Sequence, residues 1–99
     1  MLKITALSDI TVVVNRRIPQ VPDPERSIGP SRGEAQSITL RAGESCDEVV
    51  MVYGLMPVSA PAGSEVGIIP GIGEVVAVKQ PASKGEVAES FGVIRIEHL

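Results

Sequence analysis

The sequence predicts an all-β domain, a small sandwich or barrel of about seven short strands with a long Pro-rich arm. Three observations predict it. Apolar residues recur with the period of two that a half-buried strand needs, and no useful stretch shows a helical stripe. Gly and Pro, 10 and 8 of the 99 residues, cut the chain into short runs. The apolar residues are mostly Val, Ile, Leu and Ala, with one Phe, one Tyr and no Trp.

The elements follow in order. In LKITAL, Leu2, Ile4 and Ala6 alternate with Lys3 and Thr5. Ser8 and Asp9 signal a turn, so a tight hairpin is expected between this strand and ITVVVNR, Ile10 to Arg16. The second run is almost continuously apolar, as in a strand covered on both faces. From Arg17 to Gln36 the character changes. Pro19, Pro22, Pro24 and Pro30 remove backbone donors and hold their predecessors extended. A connection this long exceeds the ordinary ~4–6 residues and reads as an extended loop or arm. Order returns at Gln36 to Arg41, where Ile38 and Leu40 alternate with Thr39. A turn around Gly43 leads to CDEVVMVY, Cys46 to Tyr53, expected to be a second covered strand. Gly54 to Ser64 is irregular. Glu65 to Ile69, Glu74 to Gln80 and the terminal FGVIRIEHL supply the remaining strands, and SKGEVAES is the one short helix candidate.

One domain covering 1–99 is expected from the length. A chain of this size buries only about 60–65% of its unfolded surface, so added area from a partner would stabilise it. The net charge of −3 and pI near 5.0 give no basic footprint for nucleic acid. No apolar run reaches the ~18 residues of a membrane span. MLKITALSDI reads as a first strand, with no signal peptide. Cys46 is the sole cysteine and His98 the sole histidine, far apart in sequence. Neither an internal disulfide nor a clustered metal site is expected.

No catalytic or cofactor-binding residues are expected. GIGEVVAVKQ, Gly71 to Gln80, has the outline of a nucleotide site, but its glycines directly precede the strand that carries Lys79. A phosphate-binding loop needs G-x-x-x-x-G-K-[ST], and a dinucleotide fingerprint needs glycines opening a helix. The simpler reading is a turn at Pro70, Gly71 and Gly73, with Lys79 solvating a strand end. Asp47 and Glu48 are adjacent, so on a regular strand they point to opposite faces and cannot converge on a substrate. Ser45 or Cys46 with His98 lacks an identifiable orienting acid. Cys46 reads as a small buried hydrophobe. The residues that point to a binding surface are Arg16, Arg17, Pro19, Pro22, Pro24, Arg26, Pro30 and Arg32, in and beside the arm. A stiff, donor-poor segment with arginines suits docking on another protein.

Three stretches carry a family resemblance: ITALSDITVVV, SITLRAGES and GVIRIEHL. Together they resemble the small all-β structural proteins of tailed-phage particles, of the capsid decoration or cement type. The resemblance implies a non-enzymatic virion protein that clamps coat subunits, with the major capsid protein or another virion protein as partner. It further implies a homo-oligomer, a trimer being one candidate, assembled in the host cytoplasm. It implies no catalytic residues, and the charge, apolar runs and motifs read above lead to no expectation of a cofactor, nucleic acid or membrane. The alternative is a β-sandwich accessory or interaction subunit of a bacterial protein complex.

Overall fold

The computed structural model describes residues 1–16, 35–57 and 60–99, and every regular element among them is a strand. The eight are β1 (Leu2–Ala6), β2 (Ile10–Arg16), β3 (Gln36–Leu40), β4 (Ser45–Leu55), β5 (Val66–Ile69), β6 (Gly73–Val76), β7 (Val87–Ser90) and β8 (Ile94–His98). They form one antiparallel sheet in the order β3-β2-β4-β1-β8-β7. The β5–β6 hairpin joins it where Val76 pairs with Leu55 at the end of β4. The sheet is not closed into a barrel: β3 and β7, at its two ends, share no register among the described residues.

The expected β1–β2 hairpin does not form, because β4 lies between the two strands. β4 is antiparallel to both, along different parts of its length. Thr5 pairs with Ser45 and Leu2 with Val49, whereas Arg16 pairs with Val49 and Val12 with Leu55. The end of β1 therefore sits at one end of β4 and the start of β2 at the other. Ala6 N–H donates to the Glu44 carbonyl at 2.9 Å, and Met56 N–H to the Thr11 carbonyl at 3.1 Å. A straight strand from Glu44 to Met56 would span about 40 Å. The chain from Ala6 to Thr11 reaches at most about 18 Å. β4 therefore cannot be straight.

The bend is made of β-bulges. Register shifts fall between Leu2 and Ile4 on β1, and between Val13 and Val14 and between Asn15 and Arg16 on β2. Each sets one extra β4 residue against its neighbour, which kinks the strand and increases its twist. Glu48, at φ 56°, lies in the first of them. The extra residues also change the period of the side chains. Cys46, Val49, Val52 and Leu55 are buried, and Val50 and Met51 are 52% and 45% exposed. The expectation of a strand covered throughout Cys46 to Tyr53 is thus corrected. Asp47 and Glu48 are both exposed, and Glu48 lies on the bulge, off the regular strand path.

Bent in this way, β4 brings the inner faces of the two sheet halves together. Leu2, Ile4, Ala6, Ile94 and Ile96 from one half join Val12, Val14 and Leu40 from the other in a single cluster with the four β4 residues. A bulged strand can in this way pair with neighbours on both sides of its bend. The alternation read in β1, β3 and β8 holds, with Arg95 outside between buried Ile94 and Ile96. The continuous burial read in β2 holds at Val12, Val13 and Val14.

Val13 is covered from the outside. Its register partner is Gly54, and a Cβ built at Gly54 would fall onto the Val76 carbonyl oxygen. The absence of a side chain lets β6 cross closely at this point, and Val75 is buried there. Beyond Val76 the expected strand to Gln80 is not regular. The segment is fastened by single contacts instead. Ala77 N–H donates to the Glu65 carbonyl at 2.9 Å, Lys79 N–H to Ser90 Oγ at 2.9 Å, and Val52 N–H to Gln80 Oε1 at 2.9 Å. The Gln80 amide thus takes the place of a ladder partner on the stretch of β4 between β1 and β6. SKGEVAES is not a helix. Gly85 closes a turn, with its N–H on the His98 carbonyl at 2.8 Å, and Val87–Ser90 pairs with β8 as a strand.

Gly54→Ala should lower stability by about 1–3 kcal/mol in urea denaturation, because the methyl group has no room. Gly67→Ala, with open space around its Cβ, should change it by less than about 0.5 kcal/mol. Gln80→Ala should cost about 1–3 kcal/mol by leaving the part-buried Val52 N–H without its acceptor, and Gln80→Glu should cost less.

Candidate functional site

Among the described residues, two concavities lie against the ends of β4. The larger, about 610 Å³, lies at the open end of the folded sheet. Ile10 and Thr11 reach it from the start of β2, Leu55, Met56 and Pro57 from the end of β4, Val76 from β6, and Phe91 and Val93 from the β7–β8 turn. Its lining is mainly apolar, with Asp9, Thr11 and Thr39 as polar members. Two of these are already engaged with one another: Thr11 and Thr39 hydroxyls share a hydrogen bond at 3.1 Å. Asp9 Oδ1 accepts the Ala42 N–H at 3.0 Å. The hydrogen bonds therefore hold the link Leu7–Asp9 against the β3–β4 turn and shape the rim. That turn is itself tied to β1 by Gly43 N–H on the Ala6 carbonyl at 2.7 Å.

Phe91 is the notable residue of this end. It sits at φ 56° and Gly92 at φ 67°, with Val93 N–H on the Ser90 carbonyl at 3.1 Å. Two left-handed residues in sequence are the sign pattern of a type I′ hairpin turn, where Asn-Gly is preferred. A bulky aromatic there is strained by about 1–2 kcal/mol. Phe91 is also 44% exposed, although it is the only Phe of the chain. The turn therefore presents an aromatic ring at the edge of an apolar concavity at a cost in backbone strain. In the sequence alone Phe91 opens the closing strand and carries no role. The available signal was an aromatic-Gly pair between two alternating runs.

The smaller cleft, about 340 Å³, is lined by Lys3, Arg16, Ile38, Leu40, Ser45, Cys46 and Asp47. It contains Arg16, whose Nε donates to the Asp47 carbonyl at 3.3 Å and so fastens the end of β2 to the first bulge of β4. The other residues read as a binding surface, Arg17, Pro19, Pro22, Pro24, Arg26, Pro30 and Arg32, lie outside the described residues. Cys46 is a buried free thiol, with its Sγ directed at the Asp47 carbonyl at 3.7 Å. Burial pushes its pKa up, the Arg16 charge pulls it down and the Asp47 charge pushes it up, with a net rise.

The other candidates are not brought together. β1 separates β4 from β8, and Ser45 aligns with Thr5 while His98 aligns with Leu2. Strand spacing and rise put Ser45 and His98 roughly 14 Å apart, too far for a nucleophile and its base. Pro70, Gly71 and Ile72 form the turn joining β5 to β6, with Ile72 N–H on the Ile69 carbonyl at 3.1 Å, and Lys79 is exposed beyond the strand end. No helix follows these glycines. Among the described residues no group of three or more His, Cys, Asp or Glu is placed to hold a metal ion. The chain matches no protein-family model, no curated protein and no solved structure.

The thiol gives a direct check on the smaller cleft. Iodoacetamide should alkylate native Cys46 more slowly than the urea-unfolded chain at about pH 8, since the thiolate is the nucleophile. Arg16→Ala should slow it further by removing a charge that pulls the thiol pKa down. The same shift sets a sign for stability. The neutral thiol's contribution is intact below the unfolded value of about 8.5 and is lost as pH rises through the folded one. Equal alkylation rates in native and unfolded protein would contradict a buried, protonated Cys46.

Proposed function

We propose that the protein is a non-enzymatic virion structural module that decorates or cements a capsid by binding coat subunits. The observation that carries the reading is the apolar concavity at the open end of the sheet, with Phe91 held outward beside it on a strained turn. Strain of this kind clusters at sites with a task, and aromatic side chains, Phe among them, are enriched at the cores of protein interfaces. The phage-particle resemblance supports the choice of partner. Its three stretches fall on β1–β2, on β3 with the turn into β4, and on β8, so they belong to the framework that forms this end.

The arm is the second proposed contact, on the strength of its prolines and of Arg17, Arg26 and Arg32. Its removal is testable because β2 and β3 pair directly, with Val14 opposite Gln36. Continued by one residue, this register sets Asn15 opposite Ala35, about one strand spacing away, ~5 Å, a gap a short connection can close.

The test is co-sedimentation with purified coat shells of a phage encoding this chain, alongside thermal melting. Phe91→Asn relieves the left-handed strain and should stay folded while its affinity falls by at least about tenfold, the loss expected of an interface anchor. Replacing Pro19 to Ser31 by a short Gly-Ser linker should also leave a folded domain and weaken binding. Wild-type protein that ignores the shells would overturn the coat assignment and favour an accessory subunit of a bacterial complex. Unchanged binding by a folded Phe91→Asn protein would remove the concavity from the contact.

A further inference from the structure

We draw no further inference here: the strongest candidate, the exposed apolar face of the β5–β6 hairpin carried by Val66 and Ile68, is an unpartnered surface, and nothing in the structure shows what covers it.

Discussion

The bend in β4 is the constraint on which the rest of the structure depends. Two short connections, Leu7–Asp9 and Arg41–Glu44, each join strands that a flat sheet would hold tens of ångströms apart. They are possible only because β4 turns between Ser45 and Leu55. Once it turns, the inner side chains of β1 and β8 meet those of β2 and β3, and one cluster serves both halves. A short chain without Trp cannot fill a wide interior. Folding one sheet over itself with Val, Ile and Leu gives a thin interior that such residues fill, and the largest of its fully buried side chains are Ile4, Ile94 and Ile96.

The same bend determines where binding chemistry can sit. It gathers the start of β2, the end of β4 and the β7–β8 turn at one end, where Ile10, Leu55 and Val93 line the larger concavity. The crossing of Leu7–Asp9 with the β3–β4 turn, fixed by Asp9 on Ala42 and Gly43 on Ala6, keeps that end open in a defined shape. At the other end of β2, Arg16 is tied to the bulge at Asp47. The two concavities thus both border β4, one at each of its ends. A partner gripping either one would stabilise the bend as well, which links binding to the modest stability expected of a small domain.

Much of the fold was legible in the residues, and the exceptions share a cause. Strands with a strict period of two, such as β1, β3 and β8, announced both their existence and their buried face. β2 was legible because three consecutive valines need cover on both sides. β4 misled because its buried positions, Cys46, Val49, Val52 and Leu55, fall every third residue, a spacing produced by bulges and matching neither strand nor helix templates. The β1–β2 pairing misled because turn signals report a reversal of the chain, not which strand lies beside which. SKGEVAES misled because its helix-favouring residues are outweighed by pairing with β8. Of the candidate surface, Arg16 was legible as a charge beside a change of composition. Phe91 was not, since its significance comes from backbone geometry and from neighbours distant in sequence.

The bulged path of β4 is tested most directly by paired substitutions at Val49 and Val50. A regular strand with Cys46 and Val52 inside would bury Val50 and expose Val49, whereas the bulged strand buries Val49 fully and leaves Val50 52% exposed. Urea denaturation of Val49→Asp and Val50→Asp distinguishes the two. The account predicts that Val49→Asp loses cooperative folding, because an unpaired carboxylate in the cluster costs more than the domain's small margin. Val50→Asp should fold with a change within about 1 kcal/mol. The reverse pattern, with Val50→Asp unfolded and Val49→Asp tolerated, would contradict the bend and the shared core built on it.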